Sequence, residues 1–132
     1  TNEISMAASN VSKLSGVRSA LVAAQRRIAA NKGYILDGRD ICDVVLPDAE
    51  VKVFLTASAE DRARRRLEQN KEKGIIDDYD KILEEIKKRD YQDSHRAISP
   101  LKASADATII DSSDKSIDEV VNMILDLVYK KI

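Results

Sequence analysis

Three short apolar runs constrain the fold of this chain more than any other feature. They are Tyr34-Ile35-Leu36, Val51 to Leu55 and Ala107 to Asp111. Each is a short apolar run of the kind that forms a buried parallel strand. The segments around them carry the 3.6-residue apolar period of helices. Alternation of this kind predicts an α/β fold, a parallel sheet covered by helices, within a single domain spanning residues 1–132.

The first run leads into Asp37-Gly38-Arg39-Asp40, which places three charges at a strand's carboxyl end. Ligands of open α/β sheets bind there, in the crevice beyond the strand ends. The same residues also suit an ordinary strand-to-loop turn, because Asp and Gly are common in turns. Gly33 and Gly38 stand at the G-x-x-x-x-G spacing of a phosphate-binding loop, but Arg39 and Asp40 follow where that motif needs Lys and Ser/Thr. The residues between the glycines are themselves the expected strand, so they cannot be the loop.

Composition narrows the function classes. With 22 basic and 23 acidic side chains and a net charge of -1, no global field favours nucleic acid or a membrane, so any anion site must be local. A lone cysteine, Cys42, cannot form an internal disulfide, and no apolar run approaches a membrane span. Both features fit a cytoplasmic setting. The composition is 43% hydrophobic, enough for one core.

Residues 3–15 suggest a helix with a break, punctuated by Gly16. From Val17 to Ala30 a helix presents Leu21, Ala24 and Ile28 on one face, and Gly33 can end it in the left-handed conformation. Ser58 and Asp61 form an S-x-x-D cap for a helix from Ala59 to about Lys73, stopped by Gly74. This helix carries Arg62, Arg64, Arg65 and Arg66, which read by themselves as a solvated face tied to Glu60, Asp61 and Glu68. A further helix starts at Asp77-Asp78 with Ile82, Leu83 and Ile86 on its core side. Arg89, Asp93 and Arg96 follow at i, i+4 and i+7, within about 60° of one another. That row could equally be a self-satisfied surface ladder, with His95 an exposed polar residue beside it. Ser116 and Glu119 predict a capping box for a last helix striped by Ile117, Val120, Val121, Ile124, Leu125 and Val128.

The stretches GVRSALVAAQR, GYILDGRDICDVVLPDAEVKVFLTASAEDRARRRLEQ and EIKKRDYQDSHRAISPLKASADATIIDSS together resemble bacterial cytidylate kinase, a nucleoside monophosphate kinase family, collinearly from about Ser9 to the C-terminus. The resemblance implies a P-loop-type fold that transfers the γ-phosphoryl of ATP to CMP or dCMP, with Mg²⁺ bridging the nucleotide phosphates and no metal ligands expected in this chain. It also implies roles for residues. Arg18 and Asp40, helped by Ser9, would face cytosine, whose amino group an aspartate can accept where it would repel uracil's carbonyl. Arg39 would hold the CMP phosphate, Asp93 a ribose hydroxyl, and Arg89 and Arg96 the phosphates between the two nucleotides, since the guanidinium fork stays charged and binds phosphate bidentately. Arg39, Arg89 and Arg96 would be the catalytic set. Arg62, Arg65 and Arg66 would lie on the lid over ATP, Ser112 and Ser113 would border adenine, and Asp37 would orient arginines or metal-bound water. The family begins with a strand, a Gly-rich loop carrying Lys and Ser/Thr, and a monophosphate-binding region, none of which is among these residues. A preceding segment or another chain would therefore complete the sheet, and the 132 residues alone would be inactive. Two other readings stand beside this one: a kinase for another nucleoside monophosphate, and a non-catalytic nucleotide-binding or regulatory module.

Overall fold

A computed structural model describes residues 2–98 and 100–132. They fall into two compact units, one of residues 1–49 with 95–102 and one of residues 50–94 with 103–132.

The first unit is helical. Helix α1 covers Asn2–Val11 and α2 covers Ser15–Ala29. The expected break lies at 12–14, where Ser12 Oγ donates to the Ser9 carbonyl at 2.7 Å, and Gly16 falls inside α2 instead of marking the break. Past α2, Lys32 and Gly33 take φ of 61° and 75°, the left-handed turn expected of Gly33. The covered side of α2 carries Arg18, Val22, Gln25 and Ala29, while Leu21 and Ile28 are 55% and 59% exposed. Of the apolar stripe read from the sequence only Ala24 is partly covered, and its two large members do not turn inward. Side-chain bonds from Arg18 and Arg26 anchor the inward orientation: Arg26 donates to the Val45 carbonyl at 3.0 Å and to the Val44 carbonyl at 2.5 Å.

Those carbonyls belong to a single π-turn, Ile41–Val45, closed by the Leu46 amide donating to the Ile41 carbonyl at 2.8 Å. The strand expected at 34–36 does not form. Tyr34 is 54% and Ile35 99% exposed. A strand needs a neighbour for its ladder, and the first unit has no other strand among its described residues.

The second unit carries the parallel pairing. Strands β1 (Val53–Thr56) and β2 (Thr108–Asp111) run parallel in register Val53 with Thr108 through Thr56 with Asp111. The sheet thus has two strands instead of three among the described residues, with the helical crossover that parallel strands require. The crossover holds α3 (Ala59–Glu72) and α4 (Tyr79–His95), and α5 (Ile117–Tyr129) follows β2. Ser58 caps α3 by accepting from the Asp61 amide, and Gly74 takes φ 71° just past its end. The connection to α4 is fixed by Asn70, whose side chain donates to Asp77 at 2.9 Å and whose carbonyl accepts from Ile75 at 2.8 Å. Ser116 and Glu119 complete both bonds of the expected capping box of α5. Ala63, Ile82 and Ile110 are buried in this unit.

Candidate functional site

In the first unit the Arg18 guanidinium is bonded to the carboxylate of Asp40. Both side chains are 13% exposed. Arg18 also reaches the Ser12 carbonyl at 3.4 Å. Burial, and then the neighbouring positive charge of Arg96, lower the pKa of Arg18 from its ordinary value. A second guanidinium, that of Arg96, is thus near enough to repel the charge of Arg18. Asp40 uses Oδ2 toward Arg18, and a carboxylate has lone pairs for further donors. Gly38 sits two residues before Asp40, and a Cβ there would come within 2.9 Å of the Ile41 side chain. The close turn thus explains the glycine between the two aspartates. Ser9 is buried in the same unit, whereas Asp37 and Arg39 are exposed.

The arginines of α3 are neither a purely solvated face nor a set pointing one way. Arg62 donates through both terminal nitrogens to the two carboxylate oxygens of Asp90 on α4, at 2.9 and 2.5 Å, and through Nε to the Ala57 carbonyl at 3.2 Å. The bond to Asp90 raises the Arg62 pKa. Both partners are more than a third exposed, so the pair is worth only about 0.2–1 kcal/mol to stability. Arg65 turns elsewhere. It donates to the Ser112 hydroxyl at 3.2 Å and to the Ser112 carbonyl at 2.6 Å and forms an ion pair with Asp61 at 2.6 Å, while Arg64 meets Asp61 at 3.2 Å. The structure thus brings Arg65 and Ser112 together, two positions that the sequence reading assigned to the lid and to the adenine border. Asp61 partly bears out the self-paired alternative for this run, but the partner of Arg62 is Asp90.

Ser112 is buried and its hydroxyl donates to the Thr56 carbonyl at 3.0 Å, which ties β2 to the end of β1. Ser113 Oγ accepts from the Ser58 amide at 2.9 Å. Both serines therefore serve the loops at the carboxyl ends of the two strands, where an α/β sheet presents its ligand crevice.

On α4, Asp93 is 1% exposed and lies 3.7 Å from Arg89. A surface ladder would not bury its carboxylate. Arg96 falls one residue beyond α4 and belongs with the first unit, so the three-residue helical row is a pair plus a residue of the following turn. His95 is exposed, as expected. Two residues of these arrangements were not singled out in the sequence: Asp90, which meets Arg62, and Arg26, which holds the π-turn. Arg62 and Asp90 are 28 positions apart, and no local spacing rule reports such a pair. Among the described residues no cluster of three His, Cys, Asp or Glu side chains could hold a metal ion, and no helix is long and apolar enough to cross a membrane.

A family model described as "Cytidylate kinase" matches residues 1–130. Among curated proteins, the cytidylate kinase of Caldicellulosiruptor saccharolyticus is 52% identical over 129 residues, covering 98% of this chain and 57% of the relative. That of Caldicellulosiruptor bescii is 52% identical over 128 residues, covering 97% and 57%. That of Streptococcus pyogenes serotype M5 is 55% identical over 123 residues, covering 93% and 54%. The chain spans little more than half the length of these relatives.

Proposed function

We propose that this chain, which belongs to the cytidylate kinase family, supplies the acceptor-base, lid and C-terminal parts of one P-loop-type kinase domain that phosphorylates CMP or dCMP from ATP in the cytoplasm. The observation that carries the reading is the Arg18–Asp40 pair with Arg96 beside it. In a site already shielded from water, Asp40 offers an acceptor for the cytosine amino group. Arg18 holds that carboxylate in place, and Ser9 is a buried polar residue of the same unit.

Phosphoryl transfer depends mostly on positioning and charge stabilisation. Arg39 and Arg96 would hold the acceptor phosphate and the charge that develops on the transferring group, and Arg89 would serve with them. Asp93 would take a ribose hydroxyl. Mg²⁺ would enter with ATP as part of that substrate and would supply positive charge to its phosphates. The charge stabilisation that these arginines would contribute comes from their guanidinium groups. Arg62, Arg65 and Arg66 would bound the ATP side together with Ser112 and Ser113, and Asp37 would orient nearby arginines.

The remaining length of the relatives would supply the phosphate-binding loop and the strands that complete the sheet. Support comes from the exposure of Ile35, Leu55 and Ile109, at 99%, 54% and 63%, on segments with strand-like sequences. The experiment is to join the chain to the additional segment of a relative and measure ADP formation from ATP with CMP, dCMP, UMP and AMP as acceptors. Turnover with CMP and dCMP well above UMP and AMP is expected. A preference for AMP or UMP would replace the acceptor assignment.

A further inference from the structure

We propose that Asp90 is a built-in competitor for the anion-binding fork of Arg62, occupying the place that a polyphosphate takes when it binds. The proposal deepens the reading of Arg62 as an ATP-side residue and rests on it.

The geometry supports it in three ways. Arg62 meets Asp90 through both terminal nitrogens, one on each carboxylate oxygen, and this two-point arrangement is the one guanidinium also makes with phosphate. Its Nε is held by the Ala57 carbonyl, so the fork is aimed by its own helix start, and only the two terminal nitrogens remain to exchange partners. Finally, the side chains are 37% and 36% exposed, so an anion can approach from solvent and the pair can open without uncovering a buried charge. Arg65 offers a contrast. Its terminal nitrogens are committed to Ser112 and to the buried Asp61, where exchange would leave a buried carboxylate to Arg64 alone. Of these two arginines, Arg62 is thus the one whose protein acceptor can be replaced cheaply. Lys87 and Glu60, 3.4 Å apart, join the same two helices beside the pair and can hold α3 against α4 while Arg62 changes partner.

The test uses the 132-residue chain and inorganic tripolyphosphate, with affinity measured by calorimetry. Asp90→Asn should tighten binding about 3- to 5-fold, the effect of an exposed charge pair expressed as affinity. The gain should vanish in an Arg62→Gln background. A gain that persists there would reflect net charge alone and would overturn the proposal, as would an unchanged or weakened affinity in the single variant. In the unaltered chain, the ¹³C resonance of the Asp90 carboxyl should shift as tripolyphosphate binds. A resonance that stays in place at saturation, or no binding at all, overturns the proposal without recourse to any variant. CMP-dependent ADP formation by the joined protein is a separate readout. Its failure would remove the kinase reading, while the exchange at Arg62 would stand or fall on the tripolyphosphate data.

Discussion

Arg18 and Asp40, 22 positions apart, form an ion pair in which each side chain is 13% exposed. Shielding at that level makes the pair consequential in two ways. An aspartate held ionised beside a guanidinium accepts hydrogen bonds well, and removing either partner leaves the other charge poorly solvated.

Asp40→Asn should therefore relax the choice between CMP and UMP in the joined protein. An amide can donate to the uracil carbonyl as well as accept from the cytosine amino group. The loss of discrimination should be about 1–3 kcal/mol in relative kcat/KM, the usual size of one base-edge pairing. Unchanged relative kcat/KM would remove Asp40 from the base site.

Arg96 and Asp93 should separate kinetically. Arg96→Ala should lower kcat far more than it weakens CMP binding, as expected for a group that acts on transition-state charge. Asp93→Ala should act mainly on acceptor binding. Because Asp93 is 1% exposed and paired with Arg89, it should also cost about 1–3 kcal/mol of stability, read by urea unfolding. Equal and negligible kinetic effects from both would make them structural residues only.

Much of the second unit was legible in the sequence because its signals are local. Ser58 with Asp61, Ser116 with Glu119, and Gly74 mark helix ends through bonds made within a few residues, and each does so in the structure. The parallel pairing of β1 and β2 followed from apolar runs separated by helices. What the sequence did not disclose depends on distant partners. Ile35 reads as a buried strand residue, but burial requires a neighbouring strand, and it is 99% exposed. The inward side of α2 is set by the bonds of Arg18 and Arg26, not by the Leu21 and Ile28 stripe. Resemblance placed Arg18 with Asp40, and the structure pairs them. It did not foresee that Arg62 meets Asp90 or that Arg65 meets Ser112.

The capping box of α5 supplies a stability test. Ser116 Oγ accepts from the Glu119 amide at 3.2 Å, and the Glu119 carboxylate accepts from the Ser116 amide at 2.7 Å. Ser116→Ala should cost about 1 kcal/mol in chemical unfolding. A change within a few tenths would mean that water caps this helix equally well.

Acid stability should depend on Lys52. Its ammonium donates to Asp106 at 2.6 Å, and this bond, followed by one from Ser104, lowers the Asp106 pKa from 3.8 to about 2. A carboxyl whose folded pKa is depressed stabilises the fold above its unfolded value, and that contribution is lost as the pH falls through the folded pKa. The thermal midpoint of the unaltered chain should exceed that of Lys52→Met at about pH 6, and the gap should narrow between about pH 4 and pH 2. A gap of constant size across that window would show that the ion pair does not contribute.

Phosphoryl transfer itself gives the most direct test. ADP formation from ATP and CMP should be measured for the 132-residue chain alone, for the additional segment of a relative alone, and for the two joined. The account predicts CMP-dependent ADP only from the joined protein, because the arginines here can stabilise charge but cannot replace the phosphate-binding loop and its lysine. Robust CMP-dependent turnover by the 132 residues alone, or none from a folded joined protein, would contradict it.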